Sequence, residues 1–104
     1  MTQRSLRDLI AIEAYSVEQF GRRVANQYLD KLESGINRLK ENPELLREEQ
    51  PFHASLKFYR IEKHVLVCET SVRGKINVLT LLHGSMDIPA RLAELEPALV
   101  AEVA

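Results

Sequence analysis

The two halves of this chain follow different hydrophobic periods, and this change limits the possible folds more than any other feature. From Phe20 to Leu39, apolar residues recur at spacings of three or four, which is the period of one face of a helix. From Leu56 onward they come in short runs rich in Val, Leu and Ile, which are typical of strands. One change from a helical to a strand pattern predicts an α+β domain.

The first half predicts two helices joined by almost no loop. Ser5 with Asp8, and Ser16 with Gln19, resemble capping boxes and predict where the two helices begin. Asn42-Pro43 ends the second helix, because the residue before a proline is driven out of the helical region. The helices should therefore form an antiparallel or steeply crossed hairpin.

The second half predicts an antiparallel meander that follows a polar connector at residues 44–55. The three expected strands are Leu56 to Ile61, His64 to Thr70 and Lys75 to His83. Short links at 62–63 and 72–74 suit hairpin turns, and Gly74 tolerates a positive φ. The helical hairpin should pack on this small sheet.

The third strand and the segment after it complete the expected fold. Regular alternation puts Ile76, Val78, Thr80 and Leu82 on one face and Asn77, Leu79, Leu81 and His83 on the other. Both faces carry apolar groups, so the strand should be interior or covered on both sides. Asp87 can cap a final helix with Pro89 in its first turn. Pro97 is expected to kink or divide that helix.

Length, charge and cysteine content narrow the class of protein. A chain of 104 residues suits one domain, residues 1–104. The net charge of -1 argues against direct, sequence-specific nucleic-acid binding, which favours a basic excess. The charged N-terminus is unlike a signal peptide, no apolar run could span a bilayer, and Cys68 has no partner cysteine. A cytoplasmic location without membrane contact is therefore expected.

One ordered series of residues covers the chain from about Leu6 to Leu95. It consists of Asp8-Leu9, Ile12, Tyr15, Phe20-Gly21, Ala25, Tyr28, Asn42-Pro43, Lys63-His64-Val65-Leu66-Val67 and Leu82-His83-Gly84-Ser85-Met86-Asp87. This series resembles the ParE toxins of the ParE/RelE superfamily, which are plasmid stabilisation proteins.

This chain departs from the family pattern at its start. Members usually begin with a strand before the first helix, but Met1 to Ser5 are too few and too polar to form one, so either the start is truncated or the first strand is absent. Without that strand, one edge of the sheet should be bare, and a bare edge pairs readily with another chain. Lys57 and Cys68 also stand where many members carry arginine and tyrosine.

The resemblance implies two alternative activities. ParE-like members are associated with inhibition of DNA gyrase and are neutralised by a ParD-like antitoxin. RelE-like members are ribosome-dependent mRNA endoribonucleases, for which the catalytic candidates here are Lys57, Arg60, Arg73 and His83. Lys57 and Arg60 lie on opposite faces of a regular strand, which favours the gyrase alternative. A third alternative is a non-toxic module that only binds an antitoxin.

A small sheet that is apolar on both faces should leave a surface for that antitoxin in a hetero-oligomer. An amphipathic partner segment is expected on the hairpin and the sheet edge. The candidate contacts are Leu9, Ile12, Tyr28, Leu32, Phe58 and Leu92.

The remaining side chains of chemical interest have structural interpretations. His83 and His64 are expected to be structural, with His83 hydrogen-bonded at a strand end, and Cys68 to be a small buried residue. Tyr15, Phe20 and Tyr28 are interpreted as core. No metal site is expected from the histidine spacing, and no cofactor is expected.

Overall fold

The computed structural model describes residues 2–49, 53–70 and 74–103, and it has the expected α+β architecture. Four strands form one sheet in the order β1-β2-β3-β4, and each neighbouring pair is antiparallel. The meander with helices before and after it is therefore confirmed. The elements are α1 Gln3–Phe20, α2 Arg22–Glu41, a 3-10 turn Pro43–Leu45, β1 Arg47–Glu49, β2 His53–Ile61, β3 His64–Thr70, β4 Ile76–His83 and α3 Ile88–Val103.

The first helix begins earlier than the capping pattern predicts. Thr2 is its N-cap, and the Thr2 side chain accepts a hydrogen bond of 3.2 Å from the backbone N–H of Ser5. Ser5 is buried inside the helix, and Asp8 is turned toward the sheet. The predicted start at Ser5 is wrong because Thr2 supplies the capping oxygen three residues earlier.

A single residue, Gly21, separates the two helices of the hairpin. Its backbone has φ 87° and ψ 165°, a conformation that side chains disfavour, and this is where the helix stops. The predicted start of the second helix at Ser16 is therefore wrong, since Ser16 is buried within α1. The predicted hairpin with almost no loop is confirmed, and so is its end at Asn42.

The connector between hairpin and meander contains a strand that the sequence pattern misses. β1 pairs with β2 through Arg47 opposite Phe58 and Glu48 opposite Lys57. Its three charged residues show no apolar alternation, which is why the pattern predicts a loop. β2 also begins at His53 instead of Leu56, whereas β3 has the predicted bounds.

A β-bulge in β4 breaks the alternation that was predicted for it. Val67 pairs with Thr80 and Cys68 with Val78, so that Leu79 is an extra residue without a partner in the register. Consequently Val78 and Leu82 lie in different apolar clusters, although regular alternation predicts one face for both. Of the two positions predicted for this strand, coverage on both sides is confirmed, whereas an interior position is not, because β4 is the last strand in the order.

Helices cover both faces of the sheet and create two buried clusters. Beneath the hairpin, three residues of α2 pack on all three long strands; the cluster contains Leu32, Ile36, Leu39, Ile61, Leu66, Cys68, Val78 and Leu81. Beneath α3 the second cluster contains Phe58, Val65, Val67, Leu79, Leu82, Ile88 and Leu92. We call these two clusters together the closed core.

The last helix begins as predicted but does not divide. The side chain of Asp87 accepts a hydrogen bond of 3.3 Å from Ala90 N–H, and Pro89 lies in the first turn. Helix α3 runs without a break from Ile88 to Val103. The expected division at Pro97 is wrong, since a proline removes one backbone donor while the neighbouring helical bonds remain.

Candidate functional site: a groove between the hairpin and the last helix

An open groove of about 620 Å³ lies between the helical hairpin and α3. Three parts of the fold form it: both hairpin helices, the end of β4, and the side of α3 that faces them. We call it the hairpin groove. Its lining residues include Asp8, Ile12, Tyr15, Phe20, Val24, Tyr28, Lys63, His64, Leu82, His83, Met86, Arg91 and Leu95.

The hairpin end of this groove is strongly apolar and open to solvent. Tyr15 is 61% exposed, Phe20 59% and Val24 46%. The sequence pattern predicted that Tyr15 and Phe20 belong to the core, and this is wrong. Because Gly21 ends α1 directly after Phe20, these side chains lie at the tip of the hairpin. Because glycine tends to end helices, Gly21 could have indicated that Tyr15 and Phe20 lie near a helix end and not in the core.

The opposite end of the groove holds a polar cluster of Tyr28, His64 and His83. The Tyr28 hydroxyl lies 2.5 Å from His64 Nδ1 and accepts a hydrogen bond of 3.2 Å from the backbone N–H of Lys63. The two imidazole rings meet edge to face, with ring centroids 5.2 Å apart. His83 Nδ1 accepts a hydrogen bond of 3.1 Å from Ser85 N–H. The predicted hydrogen bonding of His83 at a strand end is confirmed.

Burial changes the acid–base properties of this polar cluster. The pKa of His64 is lowered to about 4. Burial is the main cause, and the positive charge that His83 can carry adds to the effect. Burial raises the pKa of Tyr28, although the hydrogen bond from the backbone N–H of Lys63 acts in the opposite direction. His64 is thus neutral at pH 7 and Tyr28 keeps its proton, so the cluster adds hydrogen-bonding groups to the groove without adding charge from these two residues.

Three basic side chains border the groove, and one of them, Arg91, forms an ion pair of 3.2 Å with Glu94. Arg4 lies on α1, Lys63 in the β2–β3 turn and Arg91 on α3. The carboxylate in the lining is Asp8, which accepts a hydrogen bond of 3.0 Å from Leu81 N–H and a second from the Thr80 hydroxyl. A ligand that combines apolar side chains with negative charge would therefore complement the lining.

The structure places the six antitoxin contacts that were predicted from the sequence in three different locations. Ile12 and Tyr28 line the hairpin groove, whereas Leu9 is half-buried on another side of α1, where it lines a separate pocket with Ile10. Leu32, Phe58 and Leu92 belong to the closed core and have almost no exposed surface. Antitoxin contact stays a prediction for all six, and the groove is also lined by residues that the sequence pattern did not select: Tyr15, Phe20, Val24, Met86 and Leu95.

The candidate nuclease residues are spread over the sheet. Lys57 and Arg60 are three positions apart on β2, which places them on opposite faces, and Arg60 lies against Gly84. His83 is in the polar cluster at the end of β4. Arg73 lies outside the described residues. Among the described candidates, the structure does not bring both cations to His83 on a common face.

Cys68 has the buried position that the sequence predicts. Burial raises the pKa of its thiol to about 12, so the thiol stays protonated and unreactive. Within residues 2–49, 53–70 and 74–103, no group of three or more His, Cys, Asp or Glu side chains could hold a metal ion. Over the same ranges, no helix combines the length and hydropathy needed to cross a membrane.

The fold thus defines a small α+β protein with helices on both faces of an antiparallel meander and an open groove along its last strand. A solved structure described as the chromosomal ParDE TA system from P. aeruginosa has the same fold. The TM-score is 0.68 at 14% identity, and the match covers 79% of this chain and 89% of that chain.

Sequence comparison shows the family. The family model described as the ParE toxin of the type II toxin-antitoxin system, parDE, matches residues 1–88. The curated Toxin ParE of Escherichia coli is 29% identical over 94 residues, which cover 90% of this chain and 91% of that protein. The chain belongs to the ParE toxin family of type II toxin–antitoxin systems.

Proposed function

We propose that this toxin inhibits DNA gyrase and is neutralised by a ParD-like antitoxin that occupies the hairpin groove. The observation that carries the proposal is the match of residues 1–88 to the ParE toxin family. The family resemblance associates such chains with gyrase, and the groove supplies a surface that a partner polypeptide can cover. In the cell the toxin would then be a subunit of a hetero-oligomer.

The exposed apolar side chains of the groove supply the driving force for antitoxin binding. An aromatic side chain carries about 150–250 Å² of surface, so the exposed part of Phe20 or Tyr15 amounts to about 100 Å². At about 25 cal/mol per Å², covering one of them stabilises a complex by about 2–3 kcal/mol. Two aromatic side chains and Val24 are enough to form the centre of an interface.

The charges around the groove indicate what the antitoxin segment carries. Lys63 borders the groove together with Arg4 and Arg91, of which Arg91 pairs with Glu94 at 3.2 Å, and the Asp8 carboxylate accepts hydrogen bonds from the backbone and hydroxyl groups of β4. An amphipathic segment with carboxylates facing this rim would be attracted to the groove and oriented in it. We therefore expect an acidic, amphipathic segment of the antitoxin.

Antitoxin binding is tested with matched charge substitutions on exposed apolar residues. Phe20→Asp lies in the groove, whereas Ile10→Asp is the control, because Ile10 is 67% exposed on another side of α1. Isothermal titration with the cognate antitoxin should show an affinity loss of about 100-fold or more for Phe20→Asp, which corresponds to about 2.7 kcal/mol. Ile10→Asp should stay close to the unchanged toxin. Equal affinities for the two variants would contradict this binding site.

The target is tested by incubating the purified toxin with gyrase and supercoiled plasmid. We expect loss of supercoiling activity and a trapped cleavage complex at micromolar toxin, both of which added antitoxin should relieve. Unchanged gyrase activity would contradict the proposal. Codon-linked cuts in mRNA during translation would instead support the endoribonuclease alternative.

A further inference from the structure

The outer edge of β4 is the kind of strand edge that readily pairs with another chain. β4 is the last strand of the sheet, and in the described residues no strand lies on its outer side. It is rich in Ile, Val and Leu. Such an edge presents unpaired backbone groups and commonly leads to association unless the protein covers it. The sequence predicted a bare edge of this kind.

The start of α1 covers the first half of this edge. The backbone N–H of Thr2 donates a hydrogen bond of 3.1 Å to the carbonyl oxygen of Val78. The Thr2 hydroxyl lies 2.8 Å from the carbonyl oxygen of Leu79. Thr2 also caps α1, so the same residue begins the helix and binds the strand. These contacts occupy the two carbonyl groups beside the β-bulge.

Asp8 covers the next part of the edge. One oxygen of its carboxylate accepts a hydrogen bond of 3.0 Å from Leu81 N–H and a second from the Thr80 hydroxyl. Thr80 is a buried polar residue, so its hydroxyl needs such a partner. The carboxylate thus takes the position that a carbonyl oxygen of an added strand would otherwise hold.

We propose that Thr2 and Asp8 act as an edge guard that keeps β4 from pairing with β4 of a second copy of this chain. Two identical edges can pair antiparallel about a two-fold axis, because each then offers the other the same backbone groups and the same apolar side chains. The contacts of α1 from Val78 to Leu81 prevent this pairing. The inference concerns the free toxin and does not depend on the gyrase target or the antitoxin.

The guard is tested with three variants and a control. Asp8→Ala removes the acceptor, Asp8→Asn keeps an acceptor oxygen, and Thr2→Val removes the hydroxyl while keeping the shape of the side chain. Asp30→Ala is the control, since Asp30 is exposed on α2. Amide hydrogen exchange at Leu81 reports the edge itself. Sedimentation over a range of protein concentrations reports association.

The two readouts give distinct outcomes. At a concentration low enough to keep Asp8→Ala monomeric, we expect exchange at Leu81 to be about tenfold faster than in the unchanged toxin, because pairing of two edges would itself protect this N–H. As the concentration is raised, the sedimenting mass of Asp8→Ala should rise toward twice that of the chain. Asp8→Asn and Asp30→Ala should behave like the unchanged toxin. If Asp8→Ala also loses protection at Leu66 in β3, its fold has failed and Thr2→Val provides the test. Unchanged exchange at Leu81, or faster exchange without any rise in mass, overturns the proposal.

Discussion

Phe58 and Phe20 show how differently two regions of this molecule use the same side chain. Phe58 is 3% exposed in the closed core, where α3 packs on the sheet, whereas Phe20 is 59% exposed at the tip of the hairpin. Both residues fit an apolar pattern in the sequence. What separates them is whether the fold supplies a second surface to cover the ring.

The closed core and the hairpin groove have different tasks. In the closed core, apolar burial stabilises the fold of the toxin itself. In the hairpin groove, comparable side chains remain in water, so their burial can stabilise a complex instead. Changes in the core should therefore affect the free energy of unfolding, and changes in the groove should affect antitoxin affinity.

The largest difference in the free energy of unfolding is expected between alanine substitutions at the two phenylalanines. Phe58→Ala should lower the free energy of unfolding by about 3–5 kcal/mol, because it leaves a cavity in the closed core. Phe20→Ala should change it by less than about 1 kcal/mol, since the ring is mostly in water. Urea unfolding of the free toxin measures both. Similar losses for the two variants would remove the distinction between core and groove.

The two glycines of the hairpin should show the next largest effect, for different reasons. A Cβ on Gly35 would lie 2.5 Å from Ile61 Cδ1, so Gly35→Ala should cost about 1–3 kcal/mol through overpacking. A Cβ on Gly21 would meet no atom within 4 Å, but its φ of +87° should make Gly21→Ala cost a similar 1–3 kcal/mol through backbone strain.

A second substitution separates these two causes. Ile61→Val shortens the side chain that faces Gly35, so in combination it should reduce the cost of Gly35→Ala. It should leave the cost of Gly21→Ala unchanged. The coupling is obtained from unfolding of the single and double variants. Equal coupling with both glycines would show that the close packing of the hairpin on the sheet is not the cause.

Tyr28→Phe should have a smaller effect on the free energy of unfolding. The hydroxyl links α2 to the β2–β3 turn through Lys63 N–H and His64. Its loss should lower the free energy of unfolding by about 1–2 kcal/mol, because the Lys63 N–H and His64 lose a hydrogen-bond partner. Urea unfolding measures this cost. An unchanged urea midpoint would show that this hydrogen bond makes no net contribution to stability.

The smallest expected effect is a pH dependence that arises from His64. The unfolded chain takes up a proton on this imidazole near pH 6.5, whereas the folded chain does so at about pH 4. The unfolded state binds more protons between these values, so stability is full above about pH 6.5 and falls as the pH is lowered toward 4. Since the ring is only half-buried, we expect a loss of about 1 kcal/mol.

His64→Gln is the comparison variant for this pH dependence. It removes the titrating group, so the difference between its unfolding free energies at pH 7 and pH 4.5 should be smaller than that of the unchanged toxin. An identical pH dependence in both proteins would assign the effect to other groups.

The sequence predicts the fold well wherever a short-range pattern matches the tertiary contacts. β3 has the predicted bounds, and β4 differs by one residue, because its apolar residues are buried on both faces. β1 is missed because three charged residues form an edge strand through backbone pairing alone. The bulge at Leu79 depends on the register with β3, which no local pattern contains.

The groove is predicted less well than the fold. The expectation of an uncovered apolar surface led to Ile12 and Tyr28, which do line the groove. The same hydrophobic pattern also selected Leu32, Phe58 and Leu92, because apolar spacing cannot distinguish a face that packs on the sheet from one that extends beyond it. The one-residue break at Gly21 decides that difference for Phe20.

Backbone amide exchange of the toxin, free and bound to its cognate antitoxin, tests the central claim most directly. If the antitoxin covers the hairpin groove, new protection should arise in residues 15–28 and at His83. Leu39 and Leu66 in the closed core should show little local change, because they are already buried. New protection on the side of α1 that carries Leu6 and Ile10, with none along the groove, would contradict the claim.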